Sequence, residues 1–263
     1  MRWRSRTTDP FGRNPVQIEL ALMSDPGGRE ANEDACGHWH SDRYLCCVLA
    51  DGAGGHGGGD VASKLAVSHV LQGYAARPAH HPQALEALLR DTNRELLAQR
   101  EASAQLRHMH STIVVLSIDL QERQALWAHC GDSRLYAFRD GRVATRTSDH
   151  SLVQSLIDAG LLDDAGARHH PKRSELYSAL GTTGDDLQLS VRPDPWPLDG
   201  QQALMLCTDG LWEWLNDDEI TTALALAPGP QAWLNDLGER VRLAAVDKPG
   251  HDNFTALALW MQA

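Results

Sequence analysis

The sequence predicts an α+β fold in layers, with two sheets held between helices. Three observations carry that expectation. Strand-like apolar patterns arrive in runs that pairs of helical patterns separate, so strands do not alternate singly with helices as in a doubly wound parallel sheet. Several of the strand candidates are apolar along their whole length, the pattern of strands covered on both faces. The chain has 263 residues, 42% hydrophobic and 22% charged, enough for one domain with a layered core.

Each element has its own signal. Residues 1–15, MRWRSRTTDPFGRNP, are basic but have no apolar core behind the arginines, so a polar, solvated tail is expected rather than a secretory signal. The domain then spans 16–263. Residues 16–23 alternate weakly as a strand, and 44–50 (YLCCVLA) form a buried strand that ends in Asp51. Six glycines follow within residues 52–59. From Asp60 the pattern turns helical, with Val67, Val70, Leu71 and Tyr74 on one face. A second helix starts near Pro82 and places Leu85, Leu88, Leu89, Thr92 and Leu96 on one side. Residues 111–120 and 124–129 are strands, and 134–139 with 142–146 form a hairpin around Asp140-Gly141. Residues 148–185 are polar and mixed, with a helical patch at Leu152, Leu156 and Ile157 and the basic segment RHHPKR. Residues 203–208 form another buried strand. A helix capped by Asn216 with Glu219 three residues on (a capping box), and a longer one carrying Trp233, Leu237 and Val241, come next. Residues 253–261 close the chain as a strand, with no internal repeat and no linker.

Composition excludes some functions. The net charge of −11 argues against nucleic acid as the main partner, because phosphate backbones need a basic surface. No stretch approaches the ~18 consecutive apolar residues of a membrane span, and the expected compartment is the cytoplasm. The five cysteines lack any C-x-x-C spacing, and Cys46, Cys47 and Cys207 lie inside apolar runs, as buried thiols of a reduced protein do.

The chemistry lies in the carboxylates. Asp51-Gly52 and Asp209-Gly210 each follow an apolar strand, Gly131-Asp132 lies between two strands, Asp252-Asn253 opens the last one, and Glu33-Asp34 precede the strand to Asp51. One Asp-Gly pair is ordinarily a turn. Four strand-end aspartates can converge, because strand ends in a common sheet are rigid. Hard oxygen ligands would then select Mg2+, Mn2+ or Ca2+ over zinc, and a water between two such ions becomes a nucleophile near neutral pH. The thirteen histidines include no H-E-x-x-H, and no G-x-S-x-G occurs. Residues 52–57 do satisfy G-x-G-x-x-G, but Asp51 would sit against a pyrophosphate, and the helix that follows leads to another helix. The Gly-Lys-Ser/Thr of a Walker A loop is absent.

Taken together, Arg29-x-x-Asn32-Glu33-Asp34, Asp51-Gly52-Ala53-Gly54-Gly55-His56, Gly131-Asp132-Ser133-Arg134, Ser148-Asp149-His150, Asp209-Gly210 and Asp252-Asn253 resemble the ordered motifs of the protein phosphatase 2C-type (PPM) family, in its bacterial branch. The resemblance spans roughly residues 16–261. It implies two antiparallel sheets flanked by helices and a metal-dependent serine/threonine phosphatase using two core Mn2+ or Mg2+ ions, with a third in some members. By the same resemblance Asp51 bridges both metals, Glu33 and the Gly52 carbonyl help hold one, and Asp209 and Asp252 hold the other. Asp132 matches the aspartate of the third, weaker ion, which Asp209 would share. Arg29 matches the phosphate-binding arginine, whose planar fork suits bidentate contact. The implied catalytic set is Arg29, Asp51 and Asp209; the implied partners are phosphorylated proteins that a serine/threonine kinase targets, and a monomer is expected. A catalytically silent phosphoprotein-binding module on the same fold is the alternative.

The chain also departs from the family. Ala53 stands where eukaryotic relatives carry a histidine proposed as general acid, and His56 sits three residues further on. Glu213 stands where many relatives carry the second aspartate of D-G-x-x-D, and is a candidate further ligand of the third ion with one more methylene. Residues 148–185 resemble the family's variable flap, whose RHHPKR either meets an acidic or phosphorylated substrate or is a solvated loop.

Overall fold

The computed structural model describes residues 2–4, 17–55 and 58–262; the rest of the expected tail, and His56 and Gly57 of the glycine loop, lie outside that description. The chain begins with β1 (Arg2–Arg4), β2 (Gln17–Asp25), β3 (Asp34–His40) and β4 (Tyr44–Ala53), then the helix pair α1 (Gly58–Ala76) and α2 (Pro82–Ala102). β5 (His110–Ser111), β6 (Ile113–Asp119), β7 (Gln124–Cys130) and the hairpin β8 (Arg134–Arg139) and β9 (Arg142–Arg146) follow. The flap segment holds α3 (Leu152–Asp158) and α4 (Asp164–His169), and β10 (Ser190–Val191) and β11 (Trp196–Pro197) come after it. β12 (Gln202–Cys207), α5 (Asp209–Trp212), α6 (Asp217–Leu226), α7 (Pro230–Ala244) and β13 (Phe254–Gln262) complete the fold.

Among the described residues the strands form two sheets, antiparallel throughout. One has the order β1-β2-β13-β12-β8-β9; the other runs β10-β7-β6-β4-β3, with β11 also on β7 and β5 on β4. Three apolar layers explain the all-apolar strands. Cys47 and Leu49 of β4 point between the sheets, where they meet Leu204 and Leu206 of β12. Their neighbours Cys46, Val48 and Ala50 point the other way, onto α1 and α2. On β12, Met205 and Cys207 likewise face Trp233, Leu237 and Val241 of α7. Burial on both faces removes the alternation that a half-exposed strand would have kept.

Local signals hold where they are chemical. Asp140 (φ 52°) and Gly141 (φ 70°) are both left-handed, as a two-residue hairpin turn of the primed type requires. Asn216 accepts from the Glu219 amide at 2.9 Å while the Glu219 carboxylate accepts from the Asn216 amide at 2.8 Å, the reciprocal capping box. One expectation changes. Arg2–Arg4, read as part of a solvated tail, is a strand that pairs with Gln17–Glu19, because the outer edge of β2 offers unpaired backbone groups. The Asp-Gly pairs at 51–52 and 209–210 are not turns. Gly52 remains in β4 and Gly210 lies in α5. A Cβ at Gly52 would stand 1.9 Å from the Gly59 carbonyl oxygen, and one at Gly210 would stand 1.9 Å from that of Asn253. Glycine is needed there for close backbone approach.

Candidate active site

The site forms where the carboxylate-bearing strand ends of both sheets meet. Asp51 is fixed through its backbone: its N–H donates to Thr112 Oγ1 (3.0 Å), and its carbonyl accepts from the Thr112 amide (2.8 Å) and the Ser111 hydroxyl (3.0 Å). Asp34 lies opposite Asp51 in the β3–β4 register, and the Gly52 amide donates to the Glu33 carbonyl at 3.1 Å. Asn253 ties this corner to the other sheet. Its Oδ1 accepts from the Glu33 amide (2.8 Å), and its Nδ2 donates to the carbonyls of Pro26 (2.8 Å) and Ala31 (2.9 Å). Asp209 follows β12, and the Thr208 hydroxyl before it donates across the sheets to Asp34 Oδ2 at 3.0 Å.

Electrostatics follow from that packing. Burial pushes the Asp51 and Asp209 carboxyls well above the usual carboxylate range, and each is raised further by its acidic neighbours. Among those neighbours Asp51 raises Asp209 the most. Burial likewise raises Asp132 to about 7, with Asp149 adding to the rise and Arg134 opposing it. Asp34 rises to about 6 for the same first reason, against hydroxyl donors from Thr255 and Thr208. Asp252 adds to the negative field at Asp34, Asp51 and Asp209. At Gly59, the second residue of α1, a Cβ would stand 2.5 Å from the Gly52 carbonyl oxygen and 2.6 Å from the Glu33 carboxyl carbon, so glycine lets the helix approach this corner. Arg29 stands at the rim, its Nη2 3.3 Å from Asp252 Oδ2 with both side chains about half exposed.

Asp132 has a supporting shell that the sequence flagged without explaining. The Trp212 indole N–H donates to the Asp132 carbonyl at 3.0 Å, and the Arg134 guanidinium stacks 3.5 Å above the Trp212 ring. Asp149 grips Arg134 with both carboxylate oxygens, at 2.9 and 2.7 Å. His150 Nδ1 accepts from the Gly131 amide at 3.2 Å, which leaves Nε2–H to donate to Ser190 Oγ at 2.8 Å. Ser148-Asp149-His150 is therefore a support for Asp132.

The structure thus brings Glu33, Asp51, Gly52, Asp132, Asp209 and Asp252 to one corner, with Arg29 beside them. Asp34 belongs there too, a residue that sequence reasoning placed in a motif but gave no role. Its place directly after Glu33, at the first residue of β3, was the available signal. Ala53 brings no proton donor. His110 pairs across from it, but both ring nitrogens are engaged, by the His108 carbonyl (2.9 Å) and by Arg100 (3.3 Å). Among the described residues no three acidic, histidine or cysteine side chains stand as a finished metal cage. The residues present nevertheless fit divalent cations. Oδ1 of Asp34 and Oδ1 of Asp209 are buried without a hydrogen-bond partner, the surrounding donors are hard oxygens, and the cluster repels itself until positive charge enters. The antiparallel sheets also remove the dinucleotide reading of the glycine loop, which needs a parallel βαβ unit.

Two facing antiparallel sheets between helix layers, with a buried oxygen-donor cluster at their shared corner, define the class: a metal-dependent phosphatase of the two-sheet type. The family described as protein phosphatase 2C matches residues 28–245, and the chain belongs to that family. Asp252 lies beyond the matched segment. A serine/threonine phosphatase of Listeria monocytogenes is 30% identical over 235 residues, 87% of this chain and 90% of that protein. The crystal structure of the Mycobacterium tuberculosis serine/threonine phosphatase PstP is similar with a TM-score of 0.79 at 30% identity, covering 94% of this chain and 99% of that one. The PstP catalytic domain in complex with two manganese ions gives a TM-score of 0.77 at 28% identity, covering 94% and 100%.

Proposed function

We propose that this chain is a metal-dependent protein serine/threonine phosphatase that transfers the phosphoryl group of phosphoserine or phosphothreonine directly to water. The observation that carries the reading is the Asp51–Asp209 pair, which lies in the field of Asp132 and Asp252 and keeps Asp209 Oδ1 buried without a hydrogen-bond partner inside that cluster of like charge. Asp51, Glu33 and the Gly52 carbonyl, with Asp209 and Asp252, are the residues that would hold two Mn2+ or Mg2+ ions. Asp132 and Asp209, with Glu213, would hold a third. When bound, such ions supply Lewis acidity, which lowers the pKa of water and neutralises charge on phosphoryl oxygens. The chain's own part is orientation. Arg29 presents its guanidinium fork to the phosphate at the rim, and the clustered carboxylates supply the hard oxygen donors.

A cysteine nucleophile does not fit. Burial pushes the Cys36 and Cys130 thiols up to about 12, and those of Cys46, Cys47 and Cys207 also up, far from the thiolate such chemistry requires. A catalytically silent phosphoprotein-binding module would have no use for so costly an acidic cluster. We assign the opposing role to a serine/threonine kinase, and place the enzyme in the cytoplasm as a monomer. In support, no helix among the described residues is long and apolar enough to cross a membrane. Hydrolysis of an aryl phosphate should require added Mn2+ or Mg2+ and stop on chelation; full turnover by protein shown to be metal-free would refute the assignment.

A further inference from the structure

Two arginines of the segment RHHPKR reach a single residue at the edge of the acidic cluster. Arg173 Nε lies 3.3 Å from Glu213 Oε1, and Arg168 Nη1 donates to the Glu213 carbonyl at 3.4 Å. Glu213 caps the end of α5, whose first residue is Asp209. Its carboxylate raises both Asp132 and Asp209, so it shares one electrostatic field with them. Lys248, whose Nζ lies 5.0 Å above the Trp214 ring, adds a weaker attraction to the same carboxylate.

The flap segment is anchored at its base by backbone bonds: Leu152 N to Glu175 O (2.9 Å), Tyr177 N to His150 O (3.0 Å) and Leu180 N to Ser111 O (2.8 Å). Between those roots, the contacts to residue 213 tie α4 and the turn after it to the catalytic body. The other basic side chain of the turn, Lys172, pairs within the flap to Glu175 at 3.1 Å. The Arg173–Glu213 pair is partly exposed, 44% and 25%, and ion pairs of that exposure are readily broken.

We propose that Arg173 is a positioning residue that acts through Glu213. Its guanidinium is the flap's counter-charge for the acidic cluster, and a divalent ion entering beside Asp132, Asp209 and Glu213 displaces it and frees the flap tip. The inference rests on the metal-dependent reading above. A divalent ion beside Glu213 would draw on the carboxylate that Arg173 Nε contacts at 3.3 Å and would repel the guanidinium's like charge, so the two compete. Linkage then makes the effect reciprocal: whatever the latch takes from ion affinity, its removal must return.

Hydrogen–deuterium exchange across residues 164–176 of the full chain, followed through a Mn2+ titration with calorimetry on the same samples, tests this. In wild type, exchange should rise as the weakest ion binds. Arg173→Ala should exchange fast without ion and bind that ion at about fivefold lower Mn2+, within the usual range of coupling between sites. Arg173→Lys, which keeps the charge, should fall near wild type. Wild-type exchange that is unchanged or slowed through the titration, or an Arg173→Ala isotherm that overlays wild type, would overturn the latch. Phosphopeptide turnover by wild type at saturating Mn2+ separates the two failures: an active enzyme with an unmoved flap defeats only the latch, and an inactive one defeats the phosphatase reading.

Discussion

Arg29 contacts the site through one half-exposed ion pair with Asp252, and no buried network holds it otherwise. Its work is therefore on the phosphate, in ground and transition states alike. Arg29→Ala should raise KM for a phosphopeptide and lower kcat, by about tenfold or more in kcat/KM, with little change in melting temperature; an unchanged KM would remove it from the site. His150 has the opposite character, a support residue that touches no reacting atom. Burial, helped by stacked His129 at 4.7 Å, pushes its imidazole down to about 4 from an ordinary 6.5. A depressed histidine contributes stability that is full above pH 6.5 and is lost as pH falls toward 4, on the order of 3 kcal/mol over the whole window. His150→Gln should flatten stability between those pH values, measured by denaturant unfolding at fixed ionic strength. A slope equal to wild type would show that His150 does not carry the acid sensitivity.

At the scale of elements, the sequence was read well where a local rule decides and poorly where contact decides. The capping box at Asn216 and the Asp140-Gly141 hairpin are chemical statements of a few residues, and both stand. The all-apolar β4 and β12 were legible because two cores cover them. β3 was not singled out as a strand, since DACGHWH neither alternates nor runs apolar at a sheet edge. At the Asp-Gly pairs the sequence marks a glycine without showing whether φ or proximity requires it. Gly210 tests the distinction. Alanine there is compatible with helical φ, yet its Cβ would meet the Asn253 carbonyl oxygen at 1.9 Å, and backbone cannot yield cheaply. Gly210→Ala should lower stability by about 2 kcal/mol, read as a drop of several degrees in thermal unfolding. A melting temperature within a degree of wild type would show that close approach does not require glycine there.

Across the whole molecule, the fold is a device for bringing carboxylates far apart in sequence to one corner. Both sheets contribute strand ends, and Thr208 and Asn253 bind the corner together. Six ordered motifs make the acidic set legible in the sequence. The support of Asp132 by Asp149, Arg134 and Trp212, and the reach of Arg173 to Glu213, were not, because such pairs are set by tertiary packing and leave no spacing rule. The central claim is that the buried Asp51–Asp209 pair gathers divalent ions for phosphoester hydrolysis. Mn2+ titration calorimetry together with phosphothreonine-peptide turnover, on wild type and Asp209→Asn from matched preparations, tests it most directly. Wild type should bind at least two ions and release phosphate, while the variant keeps its fold, loses an ion and falls in turnover by about a thousandfold or more, since it removes one charge but almost no volume. Wild-type turnover by Asp209→Asn at saturating Mn2+ would contradict the account.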